Sequence, residues 1–208
     1  DGWGNTNWYD KVYGTGTRTH HNISATGGSD RVRFFASIGY LNEDGNIDNY
    51  GYNRLNLRSN IDAKLTKSLT FTLGVSGRIE KRDSPRYSAN PDDWHNVPQQ
   101  VIRALPYVPD TYEYEGKTYN VSTPTASSPV APVASINESG YSKSNYSYIQ
   151  SNFSLKYDAP WLKGLSFKFQ GAYDLTYNFS KILSNPYEVM IMNLPTIEST
   201  SLTYYKGT

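Results

Sequence analysis

From Arg54 to Leu65 the chain alternates between apolar and polar side chains. Leu55, Leu57, Ser59, Ile61, Ala63 and Leu65 fall on one face, and Arg54, Asn56, Arg58, Asn60, Asp62 and Lys64 on the other. A strand sends successive side chains to opposite faces, so this period of two predicts a strand with one apolar and one polar surface. Past Thr66-Lys67-Ser68 the pattern resumes, with Leu69, Phe71, Leu73, Val75, Gly77 and Ile79 set against Thr70, Thr72, Gly74, Ser76, Arg78 and Glu80. Upstream, Val32, Phe34, Ala36, Ile38 and Tyr40 alternate with Arg31, Arg33, Phe35, Ser37 and Gly39, Phe35 being the misfit. A weaker segment from Thr17 to Thr26 joins that strand through Gly27-Gly28-Ser29-Asp30, a tetrad suited to a tight hairpin. Downstream, Ile149, Ser151, Phe153, Leu155 and Tyr157 share a face, as do Leu165, Phe167, Phe169, Gly171, Tyr173, Leu175 and Tyr177. Six strands are expected. Helical period is not sustained, although Val97 to Leu105 can form a short helix within a loop.

The strands are long, about twice the usual five or six residues, and suit a tilted crossing of a bilayer. Short connections at Gly27–Asp30, Thr66–Ser68 and Asp158–Gly164 alternate with long ones at Asn42–Asn53, at Asp83–Ser144 and after Tyr177. Tight turns at one end and extended loops at the other are the habit of up-and-down outer-membrane barrels. Tyr40, Tyr157, Trp161 and Tyr177 stand near strand ends, where interfacial aromatics belong. The expected fold is all-β, about six to seven up-and-down strands of a transmembrane antiparallel barrel. The competing reading is a soluble β-sandwich carbohydrate-binding domain with the same apolar face as its core.

Composition narrows the function. Lys+Arg number 20 and Asp+Glu 19, a net charge of +1 that offers no field for nucleic acid. The absence of cysteine excludes disulfides, thiolate metal sites and cysteine nucleophiles. Charged residues make up 19%, below the roughly 25% of ordinary domains, while tyrosine reaches 19 copies. Scarce charge and abundant tyrosine agree with long amphipathic strands. No run approaches the roughly 18 apolar residues of a transmembrane helix. Six strands are too few to close a bacterial barrel, and turn parity asks for an upward strand before residue 1. Residues 1–208 are thus expected to be an internal part of a larger barrel, with residues 83–144 its long extracellular loop.

Particular runs carry a resemblance. Asn5-Thr6-Asn7-Trp8-Tyr9-Asp10, His21-Asn22-Ile23-Ser24-Ala25-Thr26-Gly27-Gly28-Ser29, Phe35-Ala36-Ser37-Ile38-Gly39-Tyr40-Leu41-Asn42 and Tyr52-Asn53-Arg54-Leu55-Asn56-Leu57-Arg58 follow one another in order. With Ala104-Leu105-Pro106, Ser128-Pro129-Val130-Ala131 and Lys163-Gly164-Leu165-Ser166-Phe167, they resemble the barrel of SusC/RagA-type TonB-dependent outer-membrane transporters. Tyr13-Gly14-Thr15-Gly16 and the Ala25-Thr26 pair depart from that pattern. The resemblance implies a 22-stranded barrel in the bacterial outer membrane, plugged by an N-terminal domain that contacts the TonB complex. It further implies a SusD-like surface lipoprotein as partner, outer-membrane lipid around the wall, and an oligosaccharide or peptide as solute. No catalytic role and no cofactor are expected.

Candidate residues fall into two sets. Trp94, Tyr107, Tyr112, Tyr114 and Tyr119 lie in the long loop, where aromatic faces stack on sugar rings and Asp92, Asp93 and Glu113 could bond hydroxyls. The plainer alternative is that they pack the loop itself. On the polar strand faces, Arg31, Arg33, Arg58, Asp62, Lys64, Arg78, Glu80, Lys168 and Asp174 are expected to line the lumen, either guiding solute or simply pairing with one another. His20-His21 lacks a third ligand at a usable spacing, and no metal site is expected. Asn42, Asp44, Asn46 and Asp48 miss the calcium-loop pattern because Gly45 stands at the fourth position, so a turn is expected there.

Overall fold

A computed structural model describes residues 3–86, 96–122, 130–194 and 203–207. The first four strands are β1 (Arg18–Gly28), β2 (Val32–Asp44), β3 (Gly51–Lys64) and β4 (Leu69–Pro85). Two short strands follow, β5 (Thr111–Tyr114) and β6 (Lys117–Ser122), then the longest pair, β7 (Gly140–Asp158) and β8 (Ser166–Ser184). The chain continues into β9 (Val189–Asn193) and β10 (Thr203–Gly207). Of three short helices, α1 (Trp8–Val12) precedes β1, α2 (Val97–Arg103) lies between β4 and β5, and α3 (Pro132–Asn137) between β6 and β7.

The six long strands form one antiparallel sheet in the order β1-β2-β3-β4-β7-β8. Register carries the sequence parity across all of them. Leu57 stands opposite Ile38 and Gly77, Gly77 opposite Ile149, and Ile149 opposite Leu175. One residue along, Arg58 stands opposite Ser37 and Ser76, Ser76 opposite Gln150, and Gln150 opposite Asp174. Across these rows the sheet therefore has one apolar and one polar face. Phe35 falls on the polar face, between Thr26 and Asn60, where it is half-buried.

The strands outrun the hydrophobic signal. Pairing of β4 with β7 continues to Pro85 opposite Tyr141, and β8 reaches Ser184, past Tyr177. In these extensions both faces carry Ser, Lys, Asn or Arg, so side-chain polarity no longer alternates while the backbone ladder persists. The connection between β4 and β7 is accordingly shorter than residues 83–144, and it has structure of its own.

The apolar face is uncovered. Leu57 is 46% exposed, Phe169 64% and Tyr173 67%, and Ile23, Ile38, Ile149 and Phe167 are exposed with them. A sandwich would bury these side chains beneath a second sheet, and among the described residues none lies over them. A contiguous apolar surface of this extent needs a lipid or protein partner. The compact core lies elsewhere, at the end of the sheet that carries the long connections. There Trp8, Val12, Ile47, Val97, Val101, Val108, Val121, Ile136, Met190 and Met192 pack together. A second small sheet, β10-β9-β6-β5, contributes to this loop subdomain. Its β6–β9 link is parallel, pairing Val121 with Met190 and Ser122 with Ile191.

The entering chain is fastened to the same body. Asn7 caps α1 by accepting from the Tyr9 and Asp10 amides, and Trp8 Nε1 donates to the Leu105 carbonyl at 2.9 Å. Thr6 Oγ1 donates to the Val108 carbonyl at 2.7 Å.

Candidate functional site

The polar face holds a shallow groove of about 490 Å³, with Arg58, Asn60, Gly74, Ser76, Gln150, Asn152 and Asp174 among its lining residues. Arg58 and Asp174 belong to one cross-strand row but sit on β3 and β8, three strands apart, which is about 14 Å at ordinary strand spacing. They bound the groove rather than pair across it. Between them lie amides. Gly74 stands between Asn60 and Asn152, and a side chain there would collide with the Asn152 amide and crowd Asn60 Oδ1 at 3.2 Å. Gly39 repeats the arrangement between Asn22 and Asn56, with Asn22 Oδ1 at 3.1 Å from where a Cβ would stand. Glycine in these rows leaves room for primary amides, each offering donors and an acceptor, to lie along the wall.

Towards the long-loop end the face becomes charged. Glu80 is 4% exposed; its two oxygens take Arg78 Nε at 3.0 Å and Arg82 Nη2 at 3.1 Å. All three are alternate residues of β4, so the strand period alone puts them on one face. Arg54 is the cross-strand neighbour of Glu80, and its Nε is buried without a hydrogen-bond partner. Tyrosines complete the cluster: Arg78 lies 4.4 Å from the Tyr148 ring centroid, and Arg82 lies 5.6 Å from Tyr52 and 5.2 Å from Tyr146. Three guanidiniums against one carboxylate leave it cationic. Arg78 and Glu80 were expected here from the sequence. Tyr52, Arg54, Arg82, Tyr146 and Tyr148 were not singled out, although the same parity of alternation points to each.

At the short-turn end, Asp62 faces Arg33 and Thr72 in register. Lys64 shares a row with Thr70, Lys156 and Lys168, and Lys156 bonds Asp158 at 2.9 Å. The expected charged residues thus occupy one face, spread along its height.

The aromatic set of the loop is dispersed. Trp94, Asp92 and Asp93 lie outside the described residues. Tyr107 meets Trp3 edge-on at 5.6 Å, and Tyr112 stacks on Tyr204 at 4.1 Å. Tyr119 lies beneath two cations, Lys117 at 4.6 Å and Lys206 at 5.4 Å. These three pack against the subdomain core, whereas Tyr114, in the β5–β6 hairpin, is 44% exposed.

Ion pairs fasten the subdomain. Lys11 Nζ meets Asp110 at 2.5 Å, and this hydrogen bond holds the Asp110 carboxyl below its ordinary range. Lys206 meets Glu188 at 2.8 Å, lowering the acid and raising the amine. Burial raises the Tyr13 and Tyr204 hydroxyls. His20 and His21, adjacent in β1, point to opposite faces. The Asn42–Asp48 stretch is strand followed by a tight link, with Gly45 donating to the Tyr50 carbonyl at 2.8 Å and Thr17 Oγ1 donating to Asp44 at 2.7 Å.

Comparison with known proteins adds two findings. TonB-dependent receptor P3 of Formosa agariphila is 33% identical over 79 residues, 38% of this chain and 8% of the receptor. Receptor P39 of the same organism is 30% identical over 74 residues, 36% of this chain and 7% of the receptor. A solved structure of the RagAB peptide importer, in its closed-closed state, superposes with a TM-score of 0.62 at 21% identity. That superposition covers 85% of this chain and 19% of the importer chain. In sequence and in fold, the chain resembles a stretch of a TonB-dependent receptor barrel. It spans under a tenth of these receptors' length. No family model matches it. The similar proteins are receptors and importers rather than enzymes, and the six-stranded sheet has the fold of barrel wall in the TonB-dependent receptor manner.

Proposed function

We propose that this chain forms part of the wall and outer loops of an outer-membrane TonB-dependent transporter. Its apolar face meets outer-membrane lipid and its polar face lines the lumen. One observation carries the reading: a single up-and-down sheet separates an uncovered apolar face from an amide- and charge-lined face over its whole width. Short turns at one end and the loop subdomain at the other give the sheet a periplasmic and an external side.

The solute is an oligosaccharide or a peptide. Both present hydroxyl, amide or carbonyl groups, which the Asn60, Gln150 and Asn152 amides can bond between Arg58 and Asp174. Similarity to a peptide importer supports the peptide arm. Asp62, Lys64, Arg78, Glu80 and Lys168 extend the polar path along the wall. The connection between β4 and β7 faces the exterior and meets a SusD-like surface lipoprotein, with Tyr107, Tyr112, Tyr114 and Tyr119 at the mouth. Tyr114 presents the most open of these four rings. The TonB complex supplies energy through the plug rather than through this wall, which has no catalytic part.

Fractionation and uptake test the reading. The parent protein is expected in the outer membrane, and its deletion should abolish uptake of a labelled oligosaccharide or peptide to the same extent as deletion of the TonB machinery. A water-soluble parent, or undiminished uptake without it, would overturn the reading.

A further inference from the structure

Beyond the top of the apolar face the outward surface changes character within two rows. On β4, Leu69 to Ile79 covers about 33 Å of strand at 3.3 Å per residue. A tilt of roughly 35–45° turns that into about 25 Å along the membrane normal, the height of a barrel's apolar band. Lys81 is the next outward residue. One row higher, Lys143 of β7 stands directly opposite Lys181 of β8, and both approach one ring, Tyr141, at 5.1 and 5.8 Å. Like charges directly opposed across two strands destabilise a sheet. Asp83, at 3.9 Å from Lys143, is the one carboxylate paired with these lysines among the described residues; Asp44, farther along the same row, is bonded to Thr17. The lumenal pair Lys156–Lys168, in contrast, has Asp158 at 2.9 Å.

We infer that Lys143 and Lys181, gathered around Tyr141 at headgroup height on the outward face, bind a phosphorylated lipid headgroup together with Lys81 one row below them. The inference rests on the membrane reading above, because height over the apolar band fixes the occupant. A phosphomonoester supplies up to two negative charges to a trio that holds one acid. Acyl chains on the same molecule would lie down the exposed face formed by Phe179, Tyr177 and Leu175. A lipid therefore fits both halves of the surface, whereas a free anion fits only the upper one.

Native mass spectrometry of the parent transporter in detergent tests this with dioleoyl phosphatidic acid, dioleoyl phosphatidylcholine and inorganic phosphate as probes. Phosphatidic acid is expected to be retained over phosphatidylcholine, and Lys143→Gln with Lys181→Gln should lower that retention about tenfold or more, at roughly 1 kcal/mol for each basic residue near a lipid surface. Lys143→Arg with Lys181→Arg should restore it. Retention unchanged in the glutamine variant would overturn the site, as would displacement of the lipid by equimolar inorganic phosphate. A parent protein that carries no detergent belt in the same experiment would overturn the membrane reading itself. A belt present with no lysine dependence would overturn the lipid site alone.

Discussion

Gly140 lies against the backbone carbonyl of Leu183, the residue before its register partner Ser184 on β8, with no room for a side chain. It has φ of +100°, and a Cβ there would collide with the Leu183 oxygen and come within 2.9 Å of its carbonyl carbon. Neither clash is with a group that can swing aside. Gly171 differs, because a Cβ there would meet only the Phe153 ring, 2.7 Å away at its nearest atom. Gly140→Ala is expected to cost about 1–3 kcal/mol through backbone strain, while Gly171→Ala, which displaces a ring, costs less. Urea unfolding of the two variants in detergent compares them. Equal stability would contradict the close approach at Gly140.

Glu80 bridges Arg78 and Arg82, so the two ends of the bridge are not equivalent. Glu80→Gln leaves Arg78 and Arg82 without their shared carboxylate, beside a third guanidinium at Arg54. Arg82→Gln leaves Glu80 still bonded to Arg78. Loss of a buried partner costs about 3–5 kcal/mol when both charges are buried. Here both arginines reach solvent, so about 1–2 kcal/mol is expected for Glu80→Gln and under about 1 kcal/mol for Arg82→Gln. Denaturant unfolding of each variant reads the difference, and a larger loss for Arg82→Gln would contradict the arrangement.

The sheet was legible because its sequence repeats with a period of two wherever one face is apolar. From Leu69 to Ile79 and from Phe167 to Tyr177 nothing else competes with that signal. Strand ends were not legible: Lys81 to Pro85 and Gly140 to Ser147 keep the backbone ladder but place polar or charged groups on both faces. The subdomain was largely hidden, since its core joins Trp8, Val121 and Met190, which are far apart in sequence. Only α2 showed itself, through apolar residues around Pro98 and Gln99-Gln100. On the candidate wall, Arg58, Arg78 and Glu80 followed from parity. The burial of Glu80 did not, because it depends on which long side chains fold over it.

Trp8 anchors the entering segment to the loop subdomain. It is 4% exposed, and its indole bonds the Leu105 carbonyl. Trp8→Ala should cost the subdomain about 3–5 kcal/mol by opening a cavity and orphaning that carbonyl. The sheet's ladder lies outside this core. Hydrogen exchange should therefore speed up in residues 97–108 and 117–122 while β3 and β4 stay protected. Uniform loss of protection would contradict a subdomain with its own core.

Asp110 makes the same anchorage sensitive to acid. Its carboxyl is held below the ordinary value by Lys11, so the stabilisation is complete above about pH 4 and is lost as pH falls through the lowered value. Both partners are part-exposed, and the effect is under about 1 kcal/mol. Exchange of the α1 amides, corrected for intrinsic rates, should be constant from pH 8 to 5 and accelerate below pH 4. Asp110→Asn should remove that dependence. Acceleration near pH 6 would assign the effect to another group.

Alternate-residue cysteine labelling of β4 in the parent transporter addresses the membrane wall most directly, since this segment has no cysteine of its own. Single cysteines at Thr70, Thr72, Ser76 and Phe71, Leu73, Val75 sample both faces of one strand. A water-soluble maleimide should label the first three in outer-membrane vesicles opened at the mouth, and a lipid-dissolved maleimide the last three. Two-sided labelling by the water-soluble reagent, or protection of Phe71, Leu73 and Val75 from both reagents, would contradict a lipid-facing wall and return the apolar face to a protein core.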